Sequence, residues 1–345
     1  MLEKQGAEGV YYLRPIRPAE AEGMVADVYA QIRDEYFLAP PFTLHAPVPE
    51  ILAGMWSAFR ESFLAGRVAR TVKEAVAAAV SRSNRCPFCV ESHALSVRAG
   101  AGREAARAIE VGNHNAIGDP RIQDHVRWAE SMRFPGSEIL AHPPFSQEEA
   151  PELIGTALIF HYINRMVNVF CEDSPLPLPL ALNGLRGFVH GMSSPIVRGV
   201  LDKPHAPGAS LPYLPRAELP DGLTWAAPSP AISAAFAGFA EIIERRAHDH
   251  VPEGVRAVVW KKIEAWCGED PGLGRDWLEE AVASLDAGDR PAARLALLIA
   301  LASYKIDEGH IRSFRERHPG DVPLVVLASW ASLAAARRIG TWVQG

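Results

Sequence analysis

The chain has 345 residues, of which 48% are hydrophobic and 22% charged, and its formal net charge at pH 7 is −6. This composition is typical of a globular protein with a large buried core, and it offers no basic stripe for nucleic acid or an anionic membrane. The N-terminus has no apolar signal region, and the longest apolar run, Leu324 to Ala336, is too short to span a bilayer. We therefore expect a cytoplasmic protein with no nucleic-acid or membrane partner.

Helical patterns follow one another along the chain and predict an all-α fold. A proline-rich loop at 39–50 and a turn-rich loop at 112–120 separate some of them. The predicted helices of the first half are Glu20–Arg33, Ile51–Leu64, residues 71–82, Phe88–Arg98, Arg103–Val111, Arg121–Met132 and Glu152–Phe170.

The third and fourth predicted helices form a hairpin that carries two of the chain's four cysteines. Residues 83–85 form the break between them. Cys86 stands at the cap position, and Pro87 at the first helical position, where proline is tolerated. Gly100 is the predicted stop of the second arm.

The spacing of four residues in this hairpin predicts that they lie together. Glu74 lies about nine residues before the break and His93 about eight after it, so at ~1.5 Å per residue both stand at one height if the arms fold back. Cys89 lies one helical turn below His93 on the same face, and Cys86 lies a further turn down, at the helix mouth.

This placement favours redox chemistry. A thiolate near a helix N-terminus is stabilised by unpaired backbone N–H groups and by the helix dipole. A nearby imidazole accepts the thiol proton, and a carboxylate behind the ring fixes its tautomer. A thiolate that attacks a peroxide becomes a sulfenic acid, which an adjacent thiol converts to a disulfide that an external dithiol can reduce.

Three other interpretations of the cysteine pair stay open. Cys86, Cys89 and His93 could supply three zinc ligands, but no second Cys-x-x-Cys or His-x-x-x-His completes a set of four. The pair could be inert packing residues, or a thioredoxin-like site, although no strand precedes it. With so few cysteines we expect a reducing compartment, where such a pair is more often catalytic. Cys171 and Cys267 are isolated, and we expect both to be packing residues.

Glu74, Cys86, Cys89 and His93 resemble the Glu–Cys-x-x-Cys–x-x-x–His constellation of the AhpD-like alkylhydroperoxidases, within the all-helical carboxymuconolactone decarboxylase family. The resemblance implies Cys89 as peroxidatic cysteine, Cys86 as resolving cysteine, and Glu74 with His93 as proton relay. It also implies a small-molecule peroxide substrate, an external dithiol reductant, and no metal, flavin, haem or other cofactor. One departure is Phe88, where the characterised peroxidase has a histidine. The decarboxylase branch lacks the cysteine pair, so decarboxylation is not favoured.

The helix predicted at Glu152–Phe170 carries polar residues in an apolar setting: His161, Asn164, Arg165 and Asn168. Such residues are more often hydrogen-bonded core groups than ligands. A second interpretation is that one of them lines the peroxide pocket.

A connector at 172–230 divides the chain, because eleven of the 28 prolines fall between Pro175 and Pro230. We expect it to pack on the surface through apolar residues such as Phe188, Tyr213 and Trp225. Helices resume from Ala231.

The second half aligns with the first as a degenerate repeat. An offset of 172 pairs Pro151 with Pro323, Arg165 with Arg337 and Phe170 with Trp342. Upstream, Asp307 and His310 take places like those of Cys86 and Cys89, so the chemistry is lost. The alternative is a chance alignment of two Ala/Leu-rich helices.

The sequence therefore predicts two tandem AhpD-like helical units, at 1–171 and 231–345, joined by the connector at 172–230. A duplicated chain could supply two positions of a ring, so we expect a homo-oligomer. The predicted function is a thiol-dependent peroxidase. The competing hypotheses are a dithiol–disulfide oxidoreductase without a peroxide role and a non-catalytic helical binding protein.

Overall fold

A computed structural model describes residues 9–175, 199, 201, 203–272 and 274–343 of the protein. These residues form an all-α fold, as predicted, and the sole β-type pairing among them is an isolated bridge between Val10 and Cys171. Their α-helices are α1 (Gly23–Glu35), α2 (Pro40–Thr43), α3 (Pro49–Phe59), α4 (Arg70–Ser83), α5 (Pro87–Ala101), α6 (Arg103–Val111), α7 (Pro120–Ser131), α8 (Glu138–Ala141), α9 (Ala150–Phe170), α10 (Pro230–His250), α11 (Glu253–Ala265), α12 (Asp276–Val282), α13 (Arg290–Ala302), α14 (Glu308–Arg315) and α15 (Asp321–Gly340).

Several helix ends differ from the sequence prediction, and two of the differences lie close to the cysteine hairpin. Helix α5 does not stop at Gly100 but continues to Ala101, and the chain leaves it at Gly102, whose φ of 94° suits glycine. The segment predicted as one helix over Ile51–Leu64 is α3 followed by a π-helical turn at Arg60–Leu64. Such turns occur frequently at functional sites.

The longest helices lie at the centre of the fold. Helix α9 packs against α3, α4 and α15, and α15 packs in turn against α10 and α13. Helices α9 and α15 are each long and apolar enough to cross a membrane. Their most apolar windows are mostly buried within the fold, to 94% in α9 and to 78% in α15. The apolar run Leu324 to Ala336 is buried throughout. One continuous hydrophobic core includes residues of both halves.

Part of the predicted connector belongs to this core. Its residues 176–198, 200 and 202, and Phe188 among them, lie outside the described residues. Trp225, one of the residues through which the connector was expected to pack, is buried, and its ring packs edge-on against Phe236 with centroids 5.0 Å apart. The packing prediction is therefore confirmed for this residue, and Gly155 of α9 leaves space for its ring.

Helices α13, α14 and α15 take the places that the predicted repeat gives to α4, α5 and α9 of the first half. Asp307 is the N-cap of α14, and His310 is its third residue, the two forming a capping box. Cys86 and Cys89 hold the same two positions in α5. The structure describes no helix between α14 and α15 that would match α6, α7 or α8. Duplication of a unit, with the division at 171 and 231, stays a prediction.

Candidate active site

The site is built on the hairpin of α4 and α5. Alanine and valine fill α4, and proline at the first position of α5 starts the second arm. The arms approach closely at their far ends, where a Cβ atom on Gly100 would come within 2.2 Å of Thr71 Oγ1. Glycine there lets the two helices pack against each other along their length.

The two ionisable residues of the predicted relay meet, as the helix spacing indicates. His93 Nδ1 lies 2.6 Å from Glu74 Oε2, and the ring donates a hydrogen bond to the carboxylate in the tautomer that carries the Nδ1 proton. Glu74 is fully buried and His93 is 7% exposed. This hydrogen bond fixes the ring and leaves Nε2 as the proton acceptor.

Arg70 is a member of the site that the sequence reasoning missed. Its Nε donates to Glu74 Oε1 at 3.0 Å, and its Nη1 donates to the backbone carbonyl of Phe63 at 3.1 Å. The guanidinium also lies 3.8 Å from the centroid of the Phe63 ring, which favours a cation. The spacing of Arg70 and Glu74, four residues apart on one helix, is the signal that could have found it.

Glu74 stays ionised in spite of its burial. Burial alone raises the pKa of its carboxyl, but the positive charge of Arg70 and the charge and hydrogen bond of His93 outweigh it, so the pKa lies below its usual value. The site therefore holds a fixed negative charge behind the imidazole.

Two aromatic rings enclose His93. Phe63, from the π-helical turn, and Phe160, from α9, stand edge-on to the imidazole with centroids 5.7 Å and 4.5 Å away. These rings were not predicted, since both segments carry a general apolar pattern. They restrict rotation of the imidazole and exclude bulk water from it.

The two sulfur atoms lie at the N-terminus of α5 as free thiols. Cys86 is its N-cap residue and is fully buried, and Cys89 is 2% exposed. Burial raises the pKa of the Cys86 thiol well above its usual value, the Cys89 thiol raises it further, and the backbone N–H of Cys89 offsets part of the rise. At Cys86 the effect of burial thus exceeds that of the helix N-terminus.

An open cleft of about 790 Å³ leads to Cys86. Its wall includes Pro87 and Glu91 of α5 and Arg85 of the preceding turn. Cys86 lines the cleft although it is fully buried, and Cys89 is not among the lining residues.

Cys171 is less isolated than the sequence indicated. It is buried at the end of α9, and burial raises the pKa of its thiol, with a further rise from any charge on Cys89. Asp173 and Ser174, the second and third residues after Cys171, line the same cleft as Cys86. A third thiol therefore lies close to the pair.

The polar residues of α9 are hydrogen-bonded core groups, which confirms the first interpretation of them. Asn84 Nδ2 donates to Asn164 Oδ1 and lies 3.0 Å from His161 Nδ1. Arg165 donates to backbone carbonyls of Ala300 and of His161. No group of at least three His, Cys, Asp or Glu side chains suited to a metal ion occurs within the described part of the chain.

Comparison with known proteins identifies the family. The model of the carboxymuconolactone decarboxylase family matches residues 49–131, which span α3 to α7 and hold all four predicted site residues. The chain is also 36% identical over 335 residues to a Mycobacterium tuberculosis protein named alkyl hydroperoxide reductase. The chain belongs to the carboxymuconolactone decarboxylase family. The alignment covers 97% of this chain and 95% of that relative, so the likeness extends through the second half. No solved structure matches the chain.

Proposed function

We propose that this family member is a thiol-dependent peroxidase that reduces organic hydroperoxides or hydrogen peroxide. The observation that carries the proposal is the buried Glu74–His93 pair, 2.6 Å apart, on the hairpin that holds both cysteines. The name of the mycobacterial relative supports the same activity.

In the first step Cys89 acts as the nucleophile and His93 accepts its proton. Glu74 holds the Nδ1 proton of the ring, so Nε2 is free to take the proton from the thiol. The thiolate attacks the peroxide O–O bond, which leaves a sulfenic acid on Cys89 and releases an alcohol or water after protonation. The peroxide is reduced by two electrons and the sulfur is oxidised by two.

In the second step the Cys86 thiol condenses with the sulfenic acid. An S–S bond forms, an S–O bond breaks, and water leaves. The raised pKa of Cys86 suits this order, because a thiol that stays protonated does not compete as the first nucleophile. An external dithiol then attacks the Cys86 sulfur through the cleft and restores both thiols.

The test is titration of the reduced protein with cumene hydroperoxide, followed by mass analysis of its peptides. We expect one equivalent to be consumed, with loss of two thiols and appearance of a Cys86–Cys89 bridge. Cys89→Ser should abolish peroxide consumption, whereas Cys267→Ser, which removes an exposed cysteine, should not. Full turnover by Cys89→Ser would refute the mechanism.

A second candidate is a dithiol–disulfide oxidoreductase without a peroxide role. The cleft favours it, because it is lined by Cys86 and not by Cys89 and offers a partner a docking place beside the pair. A Cys86–Cys89 bridge that forms with an oxidised dithiol but not with peroxide would identify this activity.

The assembly and location of the protein belong to the same proposal. We propose a cytoplasmic homo-oligomer, on the basis of the repeat and the composition. Light scattering that shows a monomer would remove the oligomer.

A further inference from the structure

The turn that joins α4 to α5 is held from outside the hairpin. We count in it Ser83, the last residue of α4, with Asn84 and Arg85, and these three directly precede Cys86. Arg85 has a φ of 53°, which is uncommon for a residue other than glycine. The backbone N–H of Cys86 bonds to the carbonyl of Ser81. Whatever holds this turn therefore also holds the first cysteine.

Asp270, in the second half of the chain, is the centre of these contacts. Its Oδ2 lies 2.5 Å from Nη2 of Arg85, 185 residues away in sequence. Its Oδ1 lies 3.4 Å from Nη2 of Arg133, whose Nη1 donates to the Ser83 carbonyl at 2.8 Å. The hydroxyl of Tyr304 donates to the same carboxylate at 3.4 Å, so Asp270 joins two arginines that contact the turn.

Other groups of the second half complete the support. The Arg85 guanidinium lies 4.4 Å from the centroid of the Tyr304 ring. The side-chain amide of Asn168 bonds to the Asn84 carbonyl at 3.1 Å and to the Ser303 hydroxyl at 3.0 Å. Each of the three residues of the turn is thus tied, directly or through one side chain, to Asp270 or to Ser303.

We propose that the second half of the chain acts as a clamp on the redox turn, and that Asp270 is a positioning residue that makes the Cys86–Cys89 disulfide harder to reduce. A held turn keeps the Cys86 and Cys89 thiols in contact, which raises the effective concentration of each thiol for the other. Loss of Asp270 loosens the turn and therefore favours the reduced pair.

This inference rests on the proposed function only in treating Cys86 and Cys89 as a redox pair. In the experiment, the full-length protein is equilibrated without peroxide in glutathione buffers that cover a series of redox potentials, and is then quenched with acid. Mass analysis gives the fraction of the protein that carries the Cys86–Cys89 bridge at each potential. We expect Asp270→Asn to lower the equilibrium constant for bridge formation about tenfold, which is about 30 mV for a two-electron couple. Ser303→Ala, which removes a different part of the clamp, should shift it in the same direction.

The matched control is Glu279→Gln. Glu279 also accepts two bonds from an arginine of the second half, Arg294, but touches no part of the turn. A shift for Asp270→Asn that is no larger than the control's, or a bridge that becomes harder to reduce, overturns the clamp and leaves the proposed function intact. A wild-type protein that forms no bridge at any poise overturns the redox pair itself.

Discussion

Replacement of Glu74 by glutamine tests the electrostatics of the site most directly. The side chain keeps its shape, but Arg70 and His93 lose a negative charge that both contact, at 3.0 Å and 2.6 Å. Removing one partner of a buried ion pair costs about 3–5 kcal/mol. We expect Glu74→Gln to lower the free energy of unfolding by about 3 kcal/mol, at the lower end of this range. The amide oxygen can still accept one hydrogen bond, and Arg70 keeps its contacts with Phe63.

The sign of the pH dependence follows from the lowered pKa of Glu74. A carboxyl whose pKa is lower in the folded state contributes stability above its unfolded value, about 4.3. That contribution is lost as the pH falls through the folded-state pKa. The glutamine variant has no such group, so the difference in stability between the two proteins should shrink on acidification below about pH 4.

The assay is urea unfolding at neutral and at acid pH, together with the initial rate of peroxide loss at neutral pH. Peroxide reduction should slow, because the imidazole loses the group that fixes its tautomer. The control Glu279→Gln removes an exposed ion pair and should cost less than about 1 kcal/mol. A destabilisation by Glu74→Gln that is unchanged at acid pH would refute the reasoning.

Three further predictions concern Cys171, Lys73 and Gly54. Cys86→Ser alone should let Cys171 react with the sulfenic acid, whereas the double variant with Cys171→Ser should keep a sulfenic acid that dimedone captures, as mass analysis would show. Burial lowers the pKa of Lys73 to about 8, so wild-type stability should rise relative to Lys73→Met between pH 8 and about 10.4, by at most about 3 kcal/mol, in urea unfolding. Gly54→Ala places a Cβ 2.6 Å from Cδ2 of Phe239 and should cost about 1–3 kcal/mol in the same assay.

Each of these predictions has an outcome that contradicts it. Equal dimedone capture by the single and double cysteine variants would show that Cys171 does not react. If the stability of the Lys73 variant changes with pH in the same way as that of the wild type across the alkaline range, the lysine charge is exposed to water. For the glycine, Gly118→Ala is the control, because a Cβ there has no neighbour within 4 Å. Equal stability of the two alanine variants would contradict the close approach.

The helices and the contact between Glu74 and His93 could be predicted because the signals that define them are local. Proline at the start of α5, the alanine-rich pattern of α4 and two arms of similar length suffice to bring Glu74 and His93 together. The π-helical turn could not be predicted, because its residues continue the apolar pattern of α3.

What the sequence could not show depends on contacts between distant segments. Asp270 lies in a loop with no periodic pattern, and its pairing with Arg85 follows only from how the two halves pack. The sequence predicted that the connector packs through Trp225, but not that the partners of this residue are Phe236 and Gly155. Arg70 is different, since its position relative to Glu74 on one helix carried a local signal.

The shared core has a consequence for how the protein can be divided. Helix α3 packs on α10 and α9 packs on α15, so each half covers apolar surface of the other. A gene split between codons 175 and 203 would yield two polypeptides that each expose one side of this core. Such fragments should be soluble when co-expressed and aggregate when produced alone, which offers a way to assemble the hairpin of α4 and α5 on demand.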